Sequence, residues 1–329
     1  MKKWITGALA ILLGVVSIGI PFSGVHEAEA KTTDDKLKIV TTIFPEYEWT
    51  RAVLGECESE AELTMLLDNG TDLHSFQPAV KDIMEVSSCD LLIYVGGESD
   101  AWIEEALKSA QNKDMKTINL MEVLGDTIKE EETVEGMQGD EHEHDDEHDE
   151  EEYDEHVWTS LRNASVVCEA IADTLEEMDP ENKDTYQENA QNYEAKLSSL
   201  DKEYQKTADS AKLNTLIFAD RFPFRYLVDD YGLNYYAAFS GCSAESEASF
   251  KTVTFLAEKV DELGVNSVLT IEKSDDRIAQ TVIENTKTKN QSIHELNSMQ
   301  SITSEEIKNG VTYLSVMEDN LKVLQEVLN

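Results

Sequence analysis

Nowhere in this 329-residue chain are imidazoles and carboxylates packed as densely as in residues 140–158, DEHEHDDEHDEEEYDEHVW. His142, His144, His148 and His156 offer nitrogen donors and the surrounding Asp and Glu offer oxygens. That set suits zinc or manganese better than a thiolate-seeking metal. The two ends of the stretch differ. From 140 to 152 there is no apolar periodicity, so this part reads as a solvated loop, either a secondary metal-collecting segment or an acidic solubilising run with incidental histidines. His156 is followed by Val157, Trp158 and a patterned helix, which puts it where the polar loop meets a packed domain and where its ring can be held rigidly.

The elements that must position such a ring follow from the hydrophobic pattern. Short apolar runs at 37–43, 61–66, 91–95 and 116–120 alternate with helical patterns at 45–54, 77–85 and 101–110, which predicts βα units and a parallel sheet. A further helix is expected at 163–177, interrupted at Asp179-Pro180. Residues 181–211 lack Gly and Pro, are rich in Ala, Glu, Lys and Gln, and carry Tyr186, Tyr193, Leu197, Leu200 and Tyr204 at helical spacing. They predict a single helix of roughly 45 Å. Its apolar stripe is too short for sustained heptads, so a spine between two lobes is favoured over a coiled-coil dimer segment. Strands at 215–218, 235–239, 267–271 and 291–296 and a last helix at 305–327 complete the second lobe. The fold class is therefore α/β, two (βα)4-type lobes joined by a long rigid helix. The first lobe covers 31–179 with its acidic loop at about 126–155, the helix 180–211 and the second lobe 212–329. Ligands of such folds sit at the carboxyl ends of the strands, here between the lobes. His74, in DNGTDLHSFQP directly after the second strand, falls on that edge. The same topology brings His156 there, and two converging imidazoles form half a tetrahedral metal site.

Composition narrows the function classes. A formal net charge of −41 excludes nucleic acid as a natural partner and favours cations. MKK, the apolar run 4–20 and Ala28-Glu29-Ala30 have the three parts of a secretory signal peptide, residues 1–30, with a retained membrane anchor as the alternative. No cysteine occurs in the first fifty residues, so a lipid-anchoring cysteine at the cleavage site is not expected. Cys57, Cys89, Cys168 and Cys242 form no C-x-x-C pair, and both disulfides and buried thiols stay open. H-E-x-x-H, G-x-S-x-G and G-x-x-x-x-G-K-[ST] are all missing from the sequence, and an enzyme is not expected.

The segments TTIFPEYEW, DLHSFQP, DLLIYVGG, EHVWTSLRNA, DPENKDTYQENAQNYEAKL and YLVDDYGL resemble the zinc and manganese receptors, the cluster A-I solute-binding proteins, of bacterial ABC importers. The likeness covers essentially the whole mature chain. It implies a metal-receptor fold with a helical backbone, a monomer, an extracytoplasmic location and a membrane permease as partner. It further implies that two first-lobe histidines, matched by His74 and His156, join a His or Glu and an Asp of the second lobe around one divalent ion. The second lobe departs from that pattern. Arg221, in ADRFPFRYL, stands where relatives carry His or Glu, and a guanidinium cannot ligate a metal. Asn297 stands where the Asp is expected. Asp220, Glu245, Glu247, Glu272, Asp275 and Asp276 are the remaining carboxylates, and Glu272, at a strand end, is the best placed either to ligate or to pair with Arg221. His294, in mid-strand, reads as structural. Two histidines favour zinc as the cargo, with manganese as the alternative because of the oxygen donors of the second lobe. Some members of this family are also described as adhesins, so an acidic metal-buffering or adhesive surface protein is the other reading.

Overall fold

The structure, a computed structural model, describes residues 36–139, 152–243 and 247–329. The expected signal peptide, the loop histidines His142, His144 and His148, and Glu245 lie outside the described residues.

Strands β1 (Leu37–Thr41), β2 (Ala61–Met65), β3 (Leu91–Tyr94) and β4 (Lys116–Asn119) form a parallel sheet in the order β2-β1-β3-β4. Its crossover helices are α1 (Phe44–Leu54), α2 (Val80–Ser88) and α3 (Ala101–Lys108), and a short α4 (Leu120–Leu124) follows β4. The central strands bury their middles, as a sheet covered on both faces requires: Ile39 and Val40 of β1 and Leu91, Leu92 and Ile93 of β3 are buried.

Next come α5 (Leu161–Met178), N-capped by the Ser160 hydroxyl, and the long α6 (Lys183–Ser210). The 28 residues of α6 span about 42 Å. It buries Tyr186, Ala190, Tyr193, Leu197 and Tyr204 against α5 and α1, and it also meets α7 (Arg225–Tyr231) and α11 (Tyr313–Val327). One helix thus braces both sheets. The second sheet contains β5 (Thr215–Phe222), β6 (Asn234–Ser240), β7 (Ser267–Ile271) and β8 (Ser292–Leu296), parallel in the order β6-β5-β7-β8, the same winding as the first. Its remaining helices are α8 (Phe250–Leu263), α9 (Arg277–Asn285) and α10 (Ser304–Lys308).

Two elements differ from expectation. The last helix is broken into α10 and α11, because Gly310 takes φ +98 and Thr312 starts α11 by accepting a hydrogen bond from Ser315 N at 3.1 Å. Strand β5 runs on to Phe222, with a register irregularity between Phe218 and Arg221. An irregularity of this kind re-aims side chains, and here it falls at the strand end that carries Asp220 and Arg221.

Candidate metal centre

His74 is fixed by its own loop. After β2 the backbone stays paired through Leu66 N to Thr41 O and Leu67 N to Thr42 O, and then Asp72 caps a single turn, its Oδ1 accepting from His74 N at 2.9 Å. His156 is fixed more tightly still. Asp154 Oδ1 accepts from both the backbone N (2.8 Å) and ring Nδ1 (2.9 Å) of His156, and the Asp154 carbonyl accepts from Tyr226 Oη at 2.8 Å. With Nδ1 spoken for, each ring turns its other nitrogen inward, and the two Nε2 atoms lie 3.0 Å apart. His74 Nδ1 is 2.8 Å from Ser99 Oγ and 3.7 Å from Glu155 Oε2. Glu155 is positioned by Ser99 N, which donates to its Oε1 at 2.8 Å, and by Gly97, where a Cβ would come within 2.3 Å of that oxygen.

The two rings are electrostatically unlike. Burial would lower His156, but the Asp154 charge and hydrogen bond, with Glu155 and Asp72 behind them, carry its pKa above the usual histidine value. Burial, followed by the charge of His156, pushes His74 down to about 3. The two shifts run in opposite directions, so of the pair His156 is the ring whose protonated form is favoured. Burial acts to raise Asp72, yet Arg221 and His74 bring its carboxyl below the ordinary range.

The opposite wall differs from the expected ligand arrangement. Arg221 does not pair with Glu272. Its Nη2 donates to Asp72 Oδ2 at 2.7 Å, gripping the turn that carries His74. Asp220 uses Oδ1 to accept from the Arg221 backbone N. Glu272 is occupied by the loop after β8, accepting from Ser298 N (2.7 Å), Ser298 Oγ (2.8 Å) and Gln300 N (3.1 Å). Asn297 Oδ1 closes a turn by accepting from Met299 N at 2.8 Å. Among the remaining carboxylates, Asp275 pairs with Arg277, Asp276 accepts from Thr270 Oγ1, and Glu247 is exposed. His294 lies in β8, 3.5 Å from Glu326. Among the described residues, the group that presents one donor atom each within 4.8 Å of one another consists of His74, His156 and Cys242. All four cysteines are free thiols. Cys242 follows the carboxyl end of β6, and its thiol is pushed up by burial and then by Glu131, Asp154 and Glu155. Gly241 makes the approach feasible: a Cβ there would lie 2.7 Å from His156 Cε1 and 3.0 Å from Phe222 O.

Sequence comparison identifies this two-sheet frame. The profile of ZnuA, the periplasmic component A of a zinc-uptake complex, matches residues 39–327. The chain belongs to the ZnuA family. It is 34% identical over 301 residues to the zinc-binding lipoprotein AdcA of Streptococcus pneumoniae, covering 90% of this chain and 56% of that relative, so it spans little more than half the relative's length. It is 27% identical to the high-affinity zinc uptake system protein ZnuA of Bacillus subtilis, covering 99% of this chain and 98% of that one. In three dimensions it is similar to the crystal structure of the Zn(II)-bound ZnuA-like domain of Streptococcus pneumoniae AdcA, with a TM-score of 0.70, 31% identity and coverage of 89% and 99%.

Within this ZnuA-family frame, sequence reasoning missed Cys242, Asp154 and Asp72. The topology rule that located His74 applies equally to Cys242, which comes two residues after a strand ends. Asp154 stands two residues before His156, a spacing at which a carboxylate can reach both a backbone N–H and the ring.

Proposed function

We propose that the chain is an extracytoplasmic receptor that captures one divalent ion, zinc, between its two sheets and delivers it to the permease of an ABC importer. The observation that carries this reading is the part-buried 3.0 Å approach of His74 Nε2 and His156 Nε2, each ring anchored through Nδ1. Two nitrogens on one tetrahedral zinc are separated by about 3.3 Å, given Zn–N bonds near 2.0–2.1 Å, so a few tenths of an ångström of adjustment admits the ion. Anchoring of Nδ1 by carboxylate or hydroxyl is the outer support that metal-binding histidines use to fix tautomer and aim. Imidazole favours zinc over manganese, and the names of the relatives point to the same cargo. The acidic histidine run 140–151 supplies weak capture ahead of this site.

The reading is tested in cells that lack the protein and depend on it at scarce metal. The unmodified gene should restore growth and zinc content in chelator-treated medium. A surface buffer or adhesin would restore neither, and equal growth with and without the gene would end the receptor reading.

Arg221 has a supporting part here. It holds Asp72, which in turn holds the His74 backbone, so Arg221→Ala should free that turn and weaken zinc about tenfold or more, the usual cost of losing an outer support. Calorimetry of the variant decides it: unchanged affinity would leave the ion pair with no role in the site.

A further inference from the structure

We propose that Cys242 is the ligand contributed by the second sheet, so that the ion is held by two imidazoles and one thiolate, His74, His156 and Cys242. This rests on the receptor reading above and specifies its donor set. Three independent features converge on the sulfur. The first is place: the thiol and one ring nitrogen of each histidine lie within 4.8 Å of one another, against about 3.6 Å for nitrogen and sulfur on one tetrahedral zinc with Zn–S near 2.3 Å, so a movement of about 1 Å closes the set. The second is construction. Gly241 lets the end of β6 run directly against the His156 ring, and Glu131 Oε1 accepts from Cys242 N at 3.4 Å, which positions the residue from the backbone side. The third is exclusion of the other donors on that wall. Arg221 is cationic and committed to Asp72, while Glu272 and Asn297 hold the turn 297–301 together. Cys57, Cys89 and Cys168 are buried, each in the main hydrophobic core, whereas Cys242 is half-buried.

The chemistry balances simply. Zinc binds the sulfur, the S–H proton leaves to solvent, and no electrons are exchanged. A thiolate sharpens selectivity, because manganese, magnesium and calcium prefer hard oxygen donors whereas zinc accepts sulfur readily. Zinc is thereby distinguished from manganese by a side chain on the second sheet, in addition to the two histidines of the first half.

X-ray absorption at the zinc edge of the full chain loaded with one equivalent of zinc tests this. One sulfur at about 2.3 Å should appear beside nitrogen or oxygen at about 2.0–2.1 Å. Cys242→Ser should remove the sulfur shell, weaken zinc at least tenfold and narrow the margin over manganese. Iodoacetamide mapping of the unmodified chain gives a second readout that requires no variant: zinc should protect Cys242 from alkylation. One tightly bound zinc with only nitrogen and oxygen neighbours overturns the thiolate and leaves the receptor standing. A sulfur shell that survives in Cys242→Ser, or Cys242 alkylated equally with and without zinc, also overturns it. A chain that binds no zinc tightly overturns the receptor reading as well.

Discussion

The double variant His74→Ala, His156→Ala is expected to lose more than about 100-fold in zinc affinity. The bound is conservative, since replacing an outer support alone costs about 10- to 100-fold and this change removes two donors outright. The loss should not come from unfolding. His74 sits in a surface turn whose cap is made by Asp72 to its backbone N–H, a contact alanine retains. His156 is fully buried, but its backbone N also donates to Asp154, and Trp158 beside it keeps its own bonds, Nε1 to Ser298 O at 2.8 Å and its carbonyl to Tyr313 Oη at 2.7 Å. Calorimetry at neutral pH, with circular dichroism to verify the fold, measures the effect. Retained affinity would mean that the two rings face each other for a reason unconnected with metal.

Zinc affinity is also expected to fall steeply on acidification. On the free pair a proton favours His156, whose pKa is raised by Asp154, Glu155 and Asp72 against the effect of burial. Zinc requires both Nε2 atoms bare and must expel that proton. Below the raised pKa of His156, each unit of pH therefore costs about tenfold in affinity, and the slope is present already at and somewhat below neutrality because the pKa lies above the reference of about 6.5. His74 adds nothing to the slope in this range, since it is neutral down to about 3. A titration series between pH 5 and 8 in a non-chelating buffer reads the slope directly. A flat profile would show that no imidazole proton is displaced.

The two-sheet frame was legible in the sequence because it rests on local periodicity. Alternating β-rich and helical runs placed all eight strands, and the absence of Gly and Pro from 181–211 marked the brace that became Lys183–Ser210. The approach of His74 to His156 was legible for a related reason: once strand order is known, loop position follows. What stayed hidden depends on side chains meeting across long sequence separations. Arg221 and Asp72 are 149 residues apart, and from just past the register irregularity in β5 the guanidinium reaches the first half of the molecule instead of Glu272. Glu272 reads as an available carboxylate until the backbone of Ser298 and Gln300 is seen wrapping it. Cys242 is one of four cysteines that the sequence leaves open between disulfide and buried thiol, until Gly241 is seen against the His156 ring. The split of the final helix belongs with these, since Asn309-Gly310 only weakens a helix locally and the Thr312 cap completes the break.

Behind the His74 ring lies a file of acids that, among the described residues, pairs with no lysine or arginine. Glu155, Asp100 and Glu46 succeed one another inward, and each retains one carboxylate oxygen that no protein group hydrogen-bonds. Burial drives Asp100 up to about 7 and Glu46 well above its ordinary value, each raised further by the neighbouring acid. Raised values favour the protonated form, so Asp100 and Glu46 sit in the interior more as neutral acids than as buried charges, and the negative charge of this wall is concentrated towards the His74 edge.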